Sequence, residues 1–579
     1  MSNERIIIER NIEIPMRDGV LTRADLYRPD KDGPLPTILV RTPYDKSAPG
    51  TASHSIEPLR AAGDGFAVIF QDTRGRYTSD GEFYPYRYEA EDGYDSVEWA
   101  ASQPWSNGRI GMTGLSYLGA VQWLAATMRP PHLKAIVPIT IGSEHYMDMM
   151  SRTGGAFKHG YLLFWGTAFV APERVQRRID SGTATADDLL TILQGIDGFD
   201  GQVSHRPLKT VFPQAGNPAL EFYFDWMERK AEDSQNSTVR NHYQEIDVPA
   251  LVVGGWYDYF LDGTLENFRG VRHSGATEAA REGQRLLIGP WSHALGSTFG
   301  DVDFGVFAST TGVDFYGMQT DHFARHLTDS VDVAPWRVRI YVMGENVWRD
   351  EDDWPLARAE ERLWYLGGDG TSKSDAGTLM PHAPNDELSD AYLYNPHKPS
   401  PTIGGATGLP GLIEGSSVGP HDQRPVESRS DVLVYSSPVL AETIEVTGPV
   451  RAVLYASSSA LDTDFIVRLC DVAPDGTSRI LTEGVIRAQY REGLDSASLL
   501  EPNQIYKYDI DMVATSNVFM LGHRIRVDVT SSSFPWIEPN PNTGHAIGED
   551  GYEDLRVALQ TVFHDATHPS HVVLPMVPR

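Results

Sequence analysis

The nine residues from Gly111 to Gly119 (GMTGLSYLG) constrain the fold more than any other part of the chain. The pattern of residues 109–113 is typical of a strand that runs into a glycine, and residues 114–116 form a sharp corner. A helix is predicted to follow from Tyr117 to Met128, because this run is largely apolar and two prolines come soon after it. A strand–turn–helix corner of this kind exposes a serine side chain above a sheet. We therefore predict that Ser116 is a nucleophile.

The first part of the chain alternates between strand-like and helix-like segments, which is typical of a parallel sheet covered by helices. Residues 37–41, for example, are a short apolar run of the kind that forms a buried parallel strand. The strand pattern is lost after about residue 145 and returns at residues 248–253. We predict an α/β domain formed by residues 1–144 and 241–335, interrupted by a helical cap insertion at residues 145–240.

The pattern of apolar and polar residues changes after residue 335. Residues 336–342 and 524–530 alternate apolar and polar side chains, and similar runs lie between them with few helix patterns. This alternation favours antiparallel strands, so we predict a C-terminal all-β jelly-roll sandwich over residues 336–579. Exposed edges of such sandwiches often pair, which makes a homodimer a candidate assembly.

Composition disfavours several classes of function. The chain has 579 residues and a formal net charge of −30, which argues against nucleic acid and anionic membranes as partners. The single cysteine, Cys470, allows neither an intramolecular disulfide nor a cysteine-based zinc site. The sequence holds no HExxH or phosphate-binding glycine motif, so we expect neither a metal nor a cofactor. The N-terminus lacks an apolar signal region and no run is long enough to span a membrane, which favours the cytoplasm.

A serine nucleophile needs a histidine base within hydrogen-bond reach and a carboxylate that orients the histidine. On a parallel sheet these groups each follow the end of a strand. Asp258 follows the apolar run 251–257, and His293 follows the run 286–292. We predict that His293 is the base and Asp258 the acid. Asp262 is the alternative acid, although its position past the strand end favours a role at the following turn or helix start.

The segments around Ser116, Asp258 and His293, with several others, resemble those of a known family. They are similar to the cocaine esterase-like (CocE/NonD) hydrolases, which are related to X-prolyl dipeptidyl aminopeptidases and α-amino acid ester hydrolases. The chain places a glycine three residues after the serine rather than two, and this group shares that variant. The resemblance implies an α/β-hydrolase fold and a serine hydrolase activity. It covers nearly the whole chain, and its clearest segments are residues 11–19, 41–46, 71–76, 114–119, 255–258 and 289–293.

The resemblance also implies an oxyanion hole and an acyl pocket. In related families a tyrosine hydroxyl after an early strand donates to the oxyanion, and Tyr44 matches that position. The backbone N–H of Tyr117, the first helical residue after the nucleophile, is the other expected donor. Phe260 and Trp165 match aromatic pocket residues of the cocaine esterase-like enzymes. The α-amino acid ester hydrolases carry acidic residues at the positions of Phe260 and Leu261, so recognition of a substrate ammonium is not expected.

We therefore expect a serine esterase that cleaves small-molecule esters with hydrophobic or aromatic acyl groups through an acyl-enzyme intermediate. The alternatives are an amidase, an α-amino acid ester hydrolase or an X-Pro dipeptidyl aminopeptidase of the same architecture. Such an enzyme would need an amine-binding acid in the cap, and the sequence does not reveal one. An alternative of another class is an inactive carbohydrate-binding protein, against which the complete set of Ser116, Asp258 and His293 argues.

Overall fold

Two β-sheets and a helical insertion make up the structure. It is a computed structural model that describes residues 5–150, 154–211, 215–228, 237–300, 302–329, 336–368, 370, 377–385, 388–408 and 417–578. The first sheet has ten strands and the second has eleven. Among the described residues no helix is both long enough and apolar enough to cross a membrane.

The first sheet and a short ribbon beside it contain the first twelve strands. These are β1 (Ile6–Pro15), β2 (Leu21–Pro29), β3 (Leu35–Thr42), β4 (Ala67–Asp72), β5 (Ser106–Leu115), β6 (Leu133–Ile139), β7 (Leu251–Tyr257), β8 (Arg285–Ser292), β9 (Thr298–Phe299), β10 (Val302–Asp303), β11 (Val338–Val342) and β12 (Val347–Glu351). The sheet order is β1-β2-β4-β3-β5-β6-β7-β8-β11-β12, and β9 pairs only with β10. The seven strands from β4 to β11 in this order are parallel.

Helices cover this sheet and form the insertion. The helices outside the insertion are α1 (Pro49–Ser53), α2 (Pro58–Gly63), α3 (Glu89–Ala101) and α4 (Tyr117–Thr127), followed after the insertion by α11 (Leu261–Ser274), α12 (Glu278–Glu282), a 3-10 turn (Val306–Ala308) and α13 (Phe315–Leu327). Strands β4 and β7 are buried along their whole length, because a parallel sheet is covered on both faces.

The insertion between β6 and β7 is helical. It contains α5 (His145–Met150), α6 (His159–Phe164), a π-helix (Trp165–Val170), α7 (Ala171–Asp180), α8 (Ala186–Asp197), α9 (Phe199–Val203), α10 (Glu221–Met227) and 3-10 turns at Leu208–Thr210, Pro218–Leu220 and Arg240–Glu245. We call this insertion the cap. The bounds of residues 145–240 stay a prediction.

The corner predicted at Ser116 is present, because β5 ends and α4 begins on either side of this residue. Gly119 lies in the first turn of α4. A Cβ at Gly119 would sit 2.8 Å from Cγ2 of Ile141 and 3.2 Å from the carbonyl oxygen of Gly114. The absent side chain therefore allows α4 to pack closely against the end of the sheet.

The predicted catalytic side chains follow the ends of three strands of this sheet. Ser116 follows β5, Asp258 follows β7 and His293 follows β8. Strands β5, β6, β7 and β8 are successive parallel neighbours. Since the carboxyl ends of parallel strands meet at one edge of a sheet, the three side chains are brought to the same region.

The sequence pattern assigns residues 336–342 to the C-terminal domain, but the structure differs. Strand β11 pairs in parallel with β8, and β12 pairs with β11, so the first sheet continues past the predicted boundary at residue 335. The strand pair lies at the edge of its sheet, where one face remains partly exposed. In β11 itself only Arg339 is partly exposed and the other four residues are buried, so the apolar–polar alternation of the sequence does not indicate which sheet the strand joins.

The C-terminal domain is all-β, as predicted, and the finer assignment to a jelly roll stays a prediction. Its strands are β13 (Glu360–Gly367), β14 (Gly377–Met380), β15 (Asp390–Tyr394), β16 (Leu433–Ser436), β17 (Ile444–Ser458), β18 (Asp464–Val472), β19 (Ser478–Arg487), β20 (Tyr506–Phe519), β21 (Arg524–Thr530), β22 (Ala558–Phe563) and β23 (His571–Val577), with α14 (Arg424–Glu427) and a 3-10 turn (Ala488–Tyr490) between them. They follow the order β15-β22-β17-β23-β13-β14-β16-β21-β18-β19, and β20 pairs with β17. Backbone hydrogen bonds from Met343 to Ser516 (3.0 Å) and from Val518 to Met343 (2.9 Å) join the two domains.

Replacing Gly119 by alanine should lower the free energy of unfolding by about 1–3 kcal/mol, because the new methyl group overlaps Ile141 in a packed core. Gly201→Ala is the matched control. Gly201 is exposed in α9, and no atom lies within 4 Å of the point that a Cβ would occupy. Alanine there should be neutral or stabilising by up to about 1 kcal/mol. Denaturant unfolding of both variants measures the difference, and equal stabilities would contradict the close packing of α4.

Candidate active site

The backbone at Ser116 is strained. Its φ of 61° and ψ of −125° lie in a region that residues other than glycine rarely adopt, at a cost of about 1–3 kcal/mol. The N–H of Ser116 donates to the carbonyl of Ile139 at 2.8 Å. The carbonyl of Ser116 accepts from the N–H groups of Gly119 at 2.7 Å and Ala120 at 3.0 Å. These three bonds hold the corner, and the serine lines a cleft beneath the cap.

His293 and Asp258 form a hydrogen-bonded pair. Nδ1 of His293 lies 2.9 Å from Oδ1 of Asp258, and the Asp258 side chain is fully buried. The backbone N–H of Phe260 donates to the same carboxylate oxygen at 3.2 Å. Because Nδ1 is engaged by the carboxylate, Nε2 is the nitrogen that can accept a proton. His293 and Ser116 line the same cleft.

Asp262, the alternative acid, lies at the start of the helix that follows Asp258. It belongs to the first turn of α11, where the positive end of the helix dipole favours a negative charge. Neither Asp262 nor Asp258 is among the described residues that line the cleft. The hydrogen bond between Nδ1 of His293 and Oδ1 of Asp258 is what favours Asp258 over Asp262 as the partner of His293.

Two hydrogen-bond donors lie at the predicted oxyanion hole. Tyr117 is the first residue of α4, so its N–H is one of the helical N–H groups without an acceptor inside the helix. Its hydroxyl is used elsewhere and donates to Oε1 of Glu89 at 2.9 Å. Tyr44 lines the cleft, and its hydroxyl oxygen accepts a hydrogen bond from Nε1 of Trp165 at 2.9 Å. Burial raises the pKa of Tyr44 to about 12, so its hydroxyl keeps its proton at neutral pH.

The cleft has a volume of about 720 Å³ and a mostly apolar wall. The cap supplies one side of it, with Tyr161, Phe164, Trp165, Ala168, Phe169, Pro172, Glu173 and Gln176. Trp165, the predicted substrate-binding residue, lies in this wall, and its contact with a substrate stays a prediction. The C-terminal domain packs against two residues of this wall. The Trp536 ring lies 5.9 Å from that of Tyr161 and 5.5 Å from that of Tyr259, measured between ring centroids.

Phe260 lies beside His293, the predicted base, and is not among the described residues that line the cleft. Its ring meets the ring of His293 edge-on at 5.4 Å, and Phe260 is 2% exposed. The neighbouring Tyr259 lines the cleft and stacks on His293 at 4.3 Å. The two rings fix the plane of the imidazole, and contact of Phe260 with a substrate stays a prediction.

Two polar residues of the cleft wall are not apparent from the sequence patterns. His54 lies before Ser116 in the chain and outside the strand ends that carry the predicted triad, and burial together with the nearby His293 lowers its pKa. Glu173 lies in the first turn of α7 and is paired with Arg76, whose Nη1 is 3.1 Å from Oε2. Burial raises the pKa of Glu173. A proline followed by an acidic residue does indicate a helix start at 172–173, but it does not indicate what the side chain faces.

A cluster of metal-ligand side chains lies far from this cleft in the C-terminal domain. It consists of Glu427, Cys470 and Asp528, all of them buried. Nη1 of Arg526 donates to Oε2 of Glu427 at 2.6 Å, and Arg468 is a second neighbouring positive charge. Burial and Glu427 together raise the pKa of Asp528. Two guanidinium groups thus compensate these carboxylates, which fits an internal ion-pair network better than a cation site.

Asp258→Asn should reduce turnover of an activated aryl ester by about 10³-fold or more, because the histidine loses the carboxylate that fixes its tautomer. Asp262→Asn is the matched control, since it changes a carboxylate four residues away, in the first turn of α11. Steady-state kinetics on both folded variants gives the comparison. A larger loss in Asp262→Asn would make that residue the acid.

Comparison with known proteins agrees with this architecture. Residues 18–295 match the model of the X-Pro dipeptidyl-peptidase (S15) family, and residues 333–573 match the X-Pro dipeptidyl-peptidase C-terminal non-catalytic domain. Two solved structures share the fold over nearly the full length of both chains. They are an aminopeptidase from a marine sediment archaeon, Thaumarchaeota archaeon (TM-score 0.80, 23% identity, 100% of this chain and 97% of the other), and an α-amino acid ester hydrolase (TM-score 0.79, 24% identity, 99% and 97%).

A closer sequence relative is the cocaine esterase of Rhodococcus sp. (strain MB1 Bresler). It is 39% identical to this chain over 586 aligned positions, which cover 99% of both proteins. Identity at this level along the whole chain includes the α/β domain, the cap and the all-β domain. The chain therefore belongs to the cocaine esterase-like family of serine carboxylic ester hydrolases, within the α/β-hydrolases of the S15 type.

Proposed function

We propose that this protein hydrolyses small carboxylic esters with hydrophobic or aromatic acyl groups, and that Ser116 forms the acyl-enzyme. The observation that carries the proposal is the arrangement of one cleft. Ser116, His293 and Tyr44 all line it, and the remaining wall is mostly aromatic and aliphatic. An apolar cleft with few polar groups at one end orients the ester carbonyl and accommodates the acyl chain.

The chemistry follows from the hydrogen bonds of the site. Nε2 of His293 accepts the Ser116 proton while Oγ attacks the ester carbonyl, and Asp258 stabilises the imidazolium that results. The carbonyl oxygen becomes an oxyanion that receives hydrogen bonds from the Tyr44 hydroxyl and the Tyr117 N–H. The carbon–oxygen bond then breaks, and His293 returns the proton to the departing alcohol. Water attacks the acyl-enzyme by the same route and releases the carboxylic acid and free Ser116.

The charge of the cleft supports an uncharged acyl group over an amino-acyl group. Glu173 is the one carboxylate among the described residues that line the cleft. Its oxygens already face Arg76 at 3.1 Å and Arg177 at 3.6 Å, and one of them accepts the N–H of Tyr77 at 2.9 Å. A substrate ammonium would have to compete with two guanidinium groups, so an ester hydrolase is favoured over an aminopeptidase.

A substrate panel tests the ester assignment. Aryl esters of benzoic and medium-chain aliphatic acids should be turned over at least about 100-fold more efficiently than the matching anilides and than dipeptidyl amides with a free amino group, as judged by kcat/KM. A fluorophosphonate should label wild-type protein at Ser116 and leave Ser116→Ala unlabelled. Faster turnover of the dipeptidyl amides, or labelling at another residue, would contradict the proposal.

Tyr44→Phe should lower kcat by about 10²-fold and leave KM nearly unchanged, because the hydroxyl is needed only once the oxyanion forms. With a Tyr44 pKa of about 12, the group is neutral below this value and only about 1% ionised at about pH 10. Wild-type activity should therefore not fall between about pH 8 and pH 10 through loss of this proton. A change confined to KM would assign Tyr44 to substrate binding instead.

A further inference from the structure

We infer that Trp165 is a positioning residue of the oxyanion hole: its indole N–H directs the Tyr44 hydroxyl hydrogen toward the reacting carbonyl. The inference rests on the proposed function and gives this cap residue a role in the transition state besides that of an apolar wall. It also makes the cap a structural part of the catalytic machinery, since Tyr44 and Ser116 belong to the α/β domain and Trp165 to the insertion.

The first step is the direction of one hydrogen bond. Nε1 of Trp165 lies 2.9 Å from the Tyr44 hydroxyl oxygen. An indole nitrogen can only donate, whereas a phenol has one hydrogen and can accept at its oxygen. The Tyr44 hydrogen must therefore turn away from Trp165. In the part of the chain that the structure describes, Tyr44 donates to no other group, so its hydrogen is available to a substrate oxygen in the cleft that it shares with Ser116.

The second step is the rigidity of the indole ring. Trp165 is 4% exposed, and its ring is nearly parallel to those of Tyr117 at 6.4 Å and Trp226 at 6.3 Å between centroids. The edge of its ring also meets Phe222 at 5.6 Å. These contacts fix the ring plane and hence the direction of the N–H. Tyr117 supplies the backbone donor of the oxyanion hole, so both donors depend on one stack of rings.

The third step is a guanidinium that joins the two segments. Arg76 is fully buried, and its Nε donates to the carbonyl of Pro43, the residue before Tyr44, at 2.8 Å. Its Nη1 donates to Val170 at 3.0 Å and its Nη2 to Phe169 at 2.8 Å. Both carbonyls belong to the π-helix that begins at Trp165. One rigid fork of donors thus sets the distance between the Tyr44 loop and the π-helix.

A π-helix is rare and is often found at functional sites. Here it is six residues long and places Trp165, Ala168 and Phe169 on the cleft. The Phe169 ring meets the Tyr44 ring edge-on at 5.9 Å. Tyr44 is therefore contacted by both ends of the π-helix, by a hydrogen bond at its start and by a ring near its end.

Trp165→Phe is the variant that tests the inference, because it keeps an aromatic ring in the stack and removes the N–H. Without this donor the Tyr44 hydroxyl can also rotate to the side opposite the substrate. We expect kcat for an activated aryl ester to fall about tenfold with KM changed less than about twofold. In a Tyr44→Phe background the same substitution should have no further effect, since no hydroxyl remains to be oriented.

Phe164→Leu is the matched control. Phe164 precedes Trp165, lines the same cleft and has no polar atom in its side chain. Its truncation should raise KM through lost contact with the acyl group, and its effect should be additive with that of Tyr44→Phe.

A trifluoromethyl ketone, which forms a stable oxyanion on the serine, gives an independent readout. Trp165→Phe should weaken the binding of this ketone by the same factor by which it lowers kcat. Phe164→Leu should weaken the binding by the same factor by which it raises KM.

A second substitution at position 165 separates the loss of the N–H from the change in ring size. Benzothienylalanine at position 165 has the shape of tryptophan with sulfur in place of the N–H, and it should reproduce the loss of kcat seen with phenylalanine. An unchanged kcat in this protein, a loss confined to KM, or additivity with Tyr44→Phe would each overturn the positioning role. Absence of ester turnover and of fluorophosphonate labelling in the wild-type protein would instead overturn the proposed function, and the inference with it.

Discussion

The proposed active site depends on a strained backbone corner at Ser116 that would relax if its surroundings allowed it. A φ of 61° at a serine is unfavourable, and the structure offsets it with hydrogen bonds on both sides of the residue. The N–H of Ser116 donates to the carbonyl of Ile139 at the end of β6, and the Ser116 carbonyl accepts two hydrogen bonds from the first turn of α4. The strain is thus shared between strand and helix, and it persists only while Gly119 lets the helix lie close to the sheet.

The cap and the α/β domain are joined at the proposed oxyanion hole. Arg76 holds the Tyr44 loop and the π-helix at a fixed separation through three backbone carbonyls. Trp165 then contacts Tyr44 through a hydrogen bond and Tyr117 through stacking. A preorganised donor stabilises charge without having to reorient during the reaction, which is the main way such sites accelerate acyl transfer. The cap is therefore expected to influence the chemical step as well as substrate binding.

The sequence predicts some of these features well because they are local. The corner at Ser116 and the positions of Asp258 and His293 follow from short apolar runs with residues of defined chemistry at their ends. The bond between Trp165 and Tyr44 joins residues 121 positions apart, and nothing in either segment indicates that they meet. The alternation in strand β11 does not indicate the sheet to which the strand belongs, because β11 pairs with β8 of the first sheet.

Glu173 illustrates how the same contacts bear on substrate class. A carboxylate in an apolar cleft would ordinarily attract a substrate amine, and its presence there could suggest an aminopeptidase. Burial raises its pKa, and the nearest positive charge is Arg76, the residue that holds the π-helix in place. An amine that displaced this guanidinium from Glu173 would loosen a contact on which Trp165 and Tyr44 both depend. In the proposed function, recognition of an ammonium at this carboxylate and support of the proposed oxyanion hole compete for one arginine, and this competition supports the proposal of uncharged acyl groups.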